Sequence, residues 1–405
     1  MNVKEPNSCK SFSKIAFLMQ ESRMGGIEYN AIHLAEALDK SRFSVVFVCP
    51  GEEKLTNELK SNRMPFILYK GPHFLSTSNR IFGGIIFNPF ATLYNFLNFP
   101  YLSFHLFKIL RKEKFDLVIT KGLLANFYGS LASWLAGIPC LWDMQEIVSK
   151  KKCFGLISLI LNIWVKIFAK GVILPSEAIR GQFLKSVHPK TFLVPNGIDI
   201  EKYHPGVDPQ PVRKEWNIKE TEVLIGHIAR FTYWKGQKDF VEAAEWIAKE
   251  IPNAKFVLVG SPVFENEAYE REVKELTREL GLNGRVLFPG FRDDLANVMA
   301  ALDIFVHCSV EPEGCPITLI TAMAMAKPVV CTEVLGNKEI ISDATQAILI
   351  PPDQPEALAK ALLRIIRDPT LMKSMGENSR KRILERYSLK AYAAGCGEAF
   401  GKIKG

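Results

Sequence analysis

The sequence predicts an α/β protein made of two doubly wound parallel sheets, each in its own Rossmann-like domain. Short, almost continuous apolar runs alternate with amphipathic helical segments, as in parallel strands that are buried on both faces. The same alternation is repeated in the second half of the chain. Between the halves, residues 196–212 contain three prolines and little apolar periodicity, which is typical of a linker.

The elements follow this alternation along the chain. In the first half, strands are predicted at residues 15–20, 43–49, 66–69, 115–120, 139–142, 171–175 and 192–194. The first helix is indicated by apolar residues at helical spacing between Ile27 and Leu38. In the second half, strands are predicted at residues 223–229, 255–259, 285–288, 304–307, 328–331 and 347–350, with helices at 237–249 and 265–280. We therefore expect domains at 1–195 and 196–385, followed by a last helix within 386–405.

Composition excludes several classes of protein. The chain has 405 residues, of which 48% are hydrophobic, so it can form two full cores and is not a disordered or repeat protein. Its net charge of +8 is too diffuse for a nucleic-acid binder and instead suits anionic ligands or an anionic membrane surface. The eight cysteines form no CxxC pair, and the first residues lack the apolar core of a signal peptide. We therefore expect free thiols, a cytoplasmic location and no spanning helix.

Two loops are suited to an anionic ligand. Gly25 and Gly26 lie between a predicted strand and a helix, where backbone N–H groups favour negative charge, although a plain tight turn explains them equally well. Arg230 and Lys235 follow the first strand of the second half. Two cations there can hold a diphosphate and stabilise charge on a departing one, whereas the alternative is a solvated basic loop.

A third loop combines a carboxylate with a helix start. Glu313 precedes Pro316, which suits the first turn of a helix. The N–H groups of Ile317, Thr318 and Leu319 are then expected to be free for an anion. Glu313 can accept hydrogen bonds from sugar hydroxyls. An acidic capping loop explains Glu311 but not the whole arrangement.

Taken in order, the segments GGIE, VPNGIDIEKYHP, R-x4-KG, VLFPGFRDDL, EGCPITLITAMAMAKPVVCT and LGNKEII resemble the retaining, nucleotide-sugar-dependent glycosyltransferases of family 4. These enzymes have the GT-B fold, in which two Rossmann-like domains face a central cleft. The resemblance runs from Gly25 to Ile341. It implies an enzyme that transfers a sugar from a UDP- or GDP-sugar to a glycan or lipid-linked acceptor, in bacterial surface polysaccharide synthesis. It also implies that the last helix packs on the first domain.

The resemblance assigns roles to individual residues. Arg230, Lys235 and Glu313 match the catalytic group, in which the cations contact the donor diphosphate and the carboxylate contacts the donor sugar. The donor-binding residues that it implies are Gly25, Gly26, Asn196, Phe291, Arg292, Pro316, Ile317, Thr318 and Leu319. Thr321 stands where the family has the second Glu of its E-x7-E motif, and a threonine offers a single hydrogen bond to the ribose.

On the acceptor side the sequence departs from the family, since Asp143 stands near the position of the usual His and Glu146 follows it. Both are candidates for acceptor chemistry, and a role as polar residues at a strand end is an equal alternative. The chain has no DxD motif, and Asp293-Asp294 indicates a helix cap, so we expect no metal ion.

Two apolar segments raise the question of a membrane. Residues 81–110 are rich in aromatic side chains, and residues 150–170 carry lysines on both sides of an apolar run that is too short to span a bilayer. An interfacial helix with basic flanks and a buried core helix both explain the second segment. We expect peripheral attachment to the anionic inner membrane, at its cytoplasmic face.

Two other functions remain open from the sequence. A nucleotide-sugar epimerase would use the same fold, although the R-x4-KG and EGCP segments disfavour it. A non-catalytic or weakly active nucleotide-binding protein would explain Thr321 and the missing His.

Overall fold

The computed structural model describes residues 14–71, 78–81, 84–148, 156–262 and 267–403. The chain divides into two compact units. The first contains Met1–Val194 together with Tyr392–Gly405, and the second contains Pro195–Ala391. The first unit is therefore assembled from both ends of the sequence.

The first unit has a seven-stranded parallel sheet in the order β3-β2-β1-β6-β7-β8-β9, and a separate antiparallel pair, β4 and β5. Its strands are β1 Lys14–Met19, β2 Ser44–Cys49, β3 Phe66–Leu68, β4 Ser78–Ile81, β5 Gly84–Phe87, β6 Leu117–Lys121, β7 Cys140–Asp143, β8 Gly171–Leu174 and β9 Thr191–Leu193. Its helices are α1 Gly26–Ala37, α2 Lys54–Ser61, α3 Pro89–Glu113, α4 Leu123–Ala136, α5 Leu156–Phe168, α6 Glu177–Arg180 and the last helix of the chain, α15 Leu389–Lys402.

The alternation of side chains along the strands separates these helices into two layers. Ile15 and Phe17 face a core that includes residues of α1, α2 and α15. Ala16 points to the opposite face, where it meets residues of α3 and α4. Trp142 lies on that second face too, because Ala16 pairs with Val118 of β6, Val118 pairs with Cys140 of β7, and Trp142 is two residues further along the same strand. Helix α5 packs against Trp142. Helices α3, α4 and α5 thus form one layer.

The second unit has a six-stranded parallel sheet in the order β12-β11-β10-β13-β14-β15. Its strands are β10 Val223–Ile228, β11 Ala254–Val259, β12 Val286–Gly290, β13 Ile304–His307, β14 Val329–Thr332 and β15 Ile348–Ile350. Its helices are α7 Gln210–Glu215, α8 Gln237–Glu250, α9 Glu267–Glu279, α10 Leu295–Ala301, α11 Ile317–Ala324, α12 Asn337–Ile340, α13 Pro355–Arg367 and α14 Pro369–Arg386. Apolar cores cover both faces of the sheet.

The predicted fold class, two doubly wound parallel sheets, is confirmed. The short β4–β5 pair was not predicted from the sequence. The last helix begins at Leu389, within the predicted range, and α14 ends shortly before it at Arg386. From Tyr392 onward its residues join the core of the first unit.

Each sheet reverses its strand order at one point. In the first unit, β1 lies between β2 and β6, and in the second unit β10 lies between β11 and β13. Open α/β sheets bind ligands beside the carboxyl ends of the strands at such reversals. A ligand site is therefore expected at the loops that follow β1, β6, β10 and β13.

The two apolar segments form helices in part. Residues 81–110 supply most of α3, and residues 150–170 supply α5, but Lys150, Lys151 and Lys152 lie outside the described residues. Leu161 and Val165 of α5 are buried in the core, while Ile163 and Ile167 are exposed. Across the described ranges, no helix combines the length and the apolar character that a membrane crossing requires.

Candidate functional site

The second unit gathers three predicted residues at its strand reversal. Strands β10 and β13 are neighbours, with His227 paired to Val306. The loop after β10 carries Arg230, which is exposed, and ends in a short 3-10 helix, Tyr233–Lys235. Glu313 lies in the loop after β13. The structure therefore brings Arg230, Lys235 and Glu313 to one edge of one sheet.

Lys235 and Glu313 form a buried ion pair. Both side chains are about nine-tenths buried, and the Lys235 ammonium donates a hydrogen bond to Glu313 Oε1. Ser309 Oγ donates to the same oxygen, and His307 Nε2 lies 3.3 Å from it. The aromatic face of Trp234 covers the ammonium, with its centroid 4.1 Å from Nζ. One carboxylate oxygen thus collects three polar partners in a nearly dry pocket.

These contacts set the charge of the pocket. Burial alone would raise the pKa of Glu313, but the Lys235 charge and the His307 hydrogen bond together hold that pKa well below its ordinary value. Burial lowers the pKa of Lys235, although the Glu313 carboxylate opposes that shift. Burial also lowers the pKa of His307, so its ring is neutral at pH 7. Glu313 is an anion under the same conditions.

A glycine after β14 fixes the backbone of Glu313. The Glu313 N–H donates to the Leu335 carbonyl at 2.9 Å. Gly336 follows with a φ of +92°, and a Cβ atom there would lie 2.0 Å from the Glu313 carbonyl oxygen. The position of Glu313 therefore requires the glycine of the LGNKEII segment.

The start of α11 differs in part from the prediction. Pro316 is the N-cap residue and Ile317 begins the helix. The Leu319 N–H donates to the Pro316 carbonyl at 3.1 Å, so it is not free as predicted. Helix geometry leaves the N–H groups of Ile317 and Thr318 without an intrahelical acceptor. Thr321 is fully buried, and its hydroxyl donates to the Ile317 carbonyl at 2.8 Å, which leaves no exposed hydroxyl for a ribose.

Asn196 lies beside this group. It is buried, and its backbone makes a hydrogen bond with the Cys315 thiol, next to Pro316. The NGI segment therefore supports the loop that carries Glu313.

Phe291 and Arg292, in the loop after β12, differ in their exposure and in their contacts. Phe291 is 63% exposed, so its ring is accessible to a ligand. The Arg292 guanidinium binds both carboxylate oxygens of Asp294 at 2.8 Å and also contacts Glu215. These hydrogen bonds raise the pKa of Arg292. Asp294 stands at the N-cap position of α10, as predicted, but its side chain makes no capping hydrogen bond.

In the first unit, the glycine pair follows β1. Gly25 is the N-cap residue of α1, and Gly26 is its first residue. A Cβ atom on Gly26 would meet nothing within 4 Å, so no contact within the described residues requires glycine there. Behind the loop lies Glu28, whose carboxyl is buried, and burial raises its pKa to about 7.

Asp143 is part of a buried network instead of facing an acceptor. It is 2% exposed and forms an ion pair with Lys121, which is also fully buried. Lys121 Nζ also donates to Asn30 Oδ1 at 3.3 Å, and the Tyr392 hydroxyl donates to the same oxygen at 2.7 Å. The alternative of a structural polar residue at the strand end is therefore the one this geometry favours. Glu146 is exposed.

Sequence reasoning missed several polar groups of the second unit. Six buried side-chain atoms of the second unit have no hydrogen-bond partner among the described residues: Trp216 Nε1, His227 Nε2, Thr232 Oγ1, Gln237 Oε1, His307 Nδ1 and Asn337 Oδ1. Four of the six, those of Thr232, Gln237, His307 and Asn337, lie at the last residue of β13 or in the loops and helix starts that follow β10 and β14. The signal for His307 and Ser309 was their place directly before the Glu313 loop. No group of three His, Cys, Asp or Glu side chains suited to a metal ion occurs in the part of the chain that is described.

Comparison with known families gives two matches that together span most of the chain. Residues 24–202 match the family described as Glycosyltransferase Family 4, and residues 209–382 match Glycosyl transferases group 1. The first match covers most of the first unit, and the second contains Arg230, Lys235 and Glu313.

Similar proteins include two bacterial enzymes. An Escherichia coli UDP-Gal:alpha-D-GlcNAc-diphosphoundecaprenol alpha-1,3-galactosyltransferase is 25% identical over 94% of this chain and 95% of its own length. A Campylobacter jejuni N,N'-diacetylbacillosaminyl-diphospho-undecaprenol alpha-1,3-N-acetylgalactosaminyltransferase is 25% identical over 85% of this chain and 88% of its own. Among solved structures, Anabaena HepE in complex with UDP and glucose has a TM-score of 0.80 at 24% identity and covers 95% of this chain and 98% of that one. The last comparison shows a shared fold.

Proposed function

We propose, since the chain is a GT-B glycosyltransferase of the family 4 and group 1 type, that it transfers a sugar from a UDP- or GDP-sugar to a lipid-linked glycan with retention of configuration. The names of the Escherichia coli and Campylobacter jejuni relatives, which specify undecaprenol-linked acceptors, support this acceptor class and a role in bacterial surface polysaccharide synthesis. An enzyme that uses such an acceptor acts at the cytoplasmic face of the inner membrane.

The observation that carries the proposal is the Lys235–Glu313 pair beside the exposed Arg230 and the start of α11. Transfer breaks the bond between the anomeric carbon and the diphosphate oxygen, and negative charge grows on the leaving diphosphate. Arg230, Lys235 and the N–H groups of Ile317 and Thr318 can stabilise that charge from fixed positions. Glu313, as an anion, can accept hydrogen bonds from the hydroxyls of the donor sugar.

The four unpartnered buried atoms support a polar ligand at this edge of the sheet. Buried polar groups are nearly always hydrogen-bonded, so a cluster of exceptions calls for an additional partner. A sugar nucleotide has many hydroxyl and phosphate groups that can fill this role.

We propose further that no metal ion takes part, because cations and a helix terminus supply the positive charge. The acceptor proton passes to the leaving phosphate, so no side-chain base is needed. The Asp143–Lys121 pair supports this view, because a carboxylate held in a buried ion pair is poorly placed to accept a proton.

The test is a panel of UDP- and GDP-sugars incubated with membrane lipid extract, with nucleotide release as the measurement. We expect release with one donor, only when extract is present, and unchanged release in EDTA. Arg230→Gln should lower kcat by about 10²–10³-fold, the effect of losing one preorganised charge contact. Arg271→Gln, an exposed arginine of α9, is the matched control and should retain full activity.

Three outcomes would contradict the proposal. Nucleotide binding without acceptor-dependent release favours the non-catalytic alternative. Formation of an epimer from the donor alone favours the epimerase. Complete loss of activity in EDTA, restored by Mg²⁺, rules out the metal-independent mechanism.

A further inference from the structure

Helix α3 has an outer face that is as apolar as its inner face. The inner face packs into the core through Leu102, Leu106 and Leu110. The outer face exposes large apolar side chains at helical spacing, among them Phe90 (83%), Leu93 (56%), Phe96 (73%), Leu97 (64%), Tyr101 (61%) and Phe104 (51%). A surface helix of a globular protein normally places polar residues there. Contiguous exposed apolar patches of this kind mark interaction sites.

The same face becomes basic at its carboxyl end. Lys108 and Arg111 continue the spacing of Phe104 and are exposed. Lys108 Nζ lies 4.7 Å from the centre of the Phe104 ring, so its aliphatic stem extends over the apolar surface.

Helix α5 repeats this arrangement beside α3. Phe99 of α3 and Trp164 of α5 have ring centres 5.7 Å apart, and both helices belong to the same layer of the first unit. Helix α5 exposes Leu159, Ile160, Ile163 and Ile167, and the exposed Lys166 and Lys170 lie in its last turn and just beyond its end. Two neighbouring helices thus share an apolar outer surface with basic carboxyl ends.

We propose that this outer surface of α3 and α5, the α3/α5 face, docks on an anionic phospholipid bilayer. The apolar side chains enter the boundary between headgroups and acyl chains, and the four cations meet lipid phosphates. Charge complementarity selects this occupant, because Lys108, Arg111 and Lys166 are exposed on the two helices and Lys170 is exposed just after α5. The only acidic residue in their sequences is Glu113, whose carboxylate pairs with Lys14.

This inference extends the membrane location in the proposed function and assigns it to residues other than the predicted flank at 150–152. Its test requires neither donor nor acceptor. A failure of docking would therefore leave the transfer reaction untouched, and a failure of transfer would leave docking in place.

The first experiment is flotation with vesicles of phosphatidylglycerol and phosphatidylethanolamine, compared with vesicles of phosphatidylcholine. Wild type should float with the anionic vesicles. The triple variant Phe90→Ser/Phe96→Ser/Leu97→Gln should lose about 100-fold in partition, because three large apolar side chains no longer leave water. The control Trp246→Ser/Leu384→Gln removes exposed apolar residues of the second unit and should float like wild type. Thermal midpoints of all variants check that they fold.

The second experiment changes charge alone and remains informative if the triple variant is unstable. Lys108→Gln/Arg111→Gln should reduce partition about 25-fold at low salt, or roughly fivefold for each charge, and the difference should shrink at high salt. Lys360→Gln/Lys373→Gln, which removes two exposed lysines of α13 and α14, is the control.

Three results would overturn the proposal. The first is equal flotation of wild type and both α3 variants, and the second is equal flotation of wild type with anionic and neutral vesicles. The third is a dimer in analytical ultracentrifugation that the triple variant converts to a monomer, because a second copy of the chain would then cover the face.

Discussion

Replacing Glu313 by Gln removes one charge from the buried pair with Lys235 and keeps the side-chain volume. The remaining ammonium would be left about nine-tenths buried beside a neutral amide. Removing one member of a buried ion pair costs about 3–5 kcal/mol, and the amide oxygen, which can still accept a hydrogen bond, favours the lower end of that range. In a unit of this size, about 3 kcal/mol corresponds to a fall of roughly 6–12 °C in thermal midpoint.

The loss of stability in Glu313→Gln should become smaller as the pH rises. Burial already lowers the pKa of Lys235 in the folded protein, and without the carboxylate that pKa falls further. Between the folded and unfolded pKa values of this lysine, the unfolded state binds more protons, so stability rises with pH. The midpoint difference between Glu313→Gln and wild type should therefore be larger at pH 7 than at pH 9.5.

The assay is differential scanning fluorimetry at the two pH values, together with sugar transfer at pH 7. Glu311→Gln, an exposed carboxylate in the same loop, is the control and should match wild type in both measurements. The double variant Glu313→Gln/Lys235→Gln should recover much of the lost stability, because no unpaired charge remains, but none of the activity. Equal midpoints for Glu313→Gln and wild type would refute the buried pair, and full activity would refute the role of Glu313.

Three further predictions concern other parts of the protein. Asp143→Asn should lower stability by about 3 kcal/mol in thermal unfolding, because it leaves the Lys121 ammonium buried without a counter-charge, and unchanged stability would contradict the ion pair. Gly336→Ala should reduce transfer at least 10-fold because its Cβ would displace a backbone carbonyl, whereas Gly284→Ala, also at positive φ but in open space, should leave activity intact. Glu28→Gln should gain stability relative to wild type as pH rises from 5 to 8, because the raised pKa of about 7 makes ionisation of the native carboxyl costly above its unfolded value of 4.5.

The fold was predictable because its signals are local. Parallel strands buried on both faces appear as apolar runs, and both the order of elements and the break near residue 195 followed from them. The family resemblance grouped Arg230, Lys235 and Glu313, and the sheet explains why they lie together, since the ends of neighbouring parallel strands meet at one edge. The β4–β5 pair was missed because nothing in four-residue strands distinguishes them from loop.

The interactions of individual side chains were less predictable, because their partners are distant in sequence. Arg292 binds Glu215, and Asp143 binds Lys121, and neither pairing has a sequence signature. Thr321 could be assigned to the second position of the E-x7-E motif. Its hydroxyl, however, donates to the backbone carbonyl of Ile317, one helical turn earlier, and not to a ligand. The spacing of residues in the sequence identified the loops that carry the site. It could not show which polar groups in those loops already have a hydrogen-bond partner within the protein.

Because the first unit is assembled from both ends of the chain, it cannot be completed until synthesis ends. Its core is completed by Tyr392, Cys396 and Phe400, and the Phe400 ring packs edge-on against Phe43 with ring centres 5.6 Å apart. A ribosome therefore makes all of the second unit, Pro195–Ala391, before it makes the residues that complete the first. Domains usually fold in the order of their synthesis, but here the later unit can finish first. Until then the nascent first unit exposes the apolar side chains that these residues cover, Phe43 among them, and a chaperone can bind there.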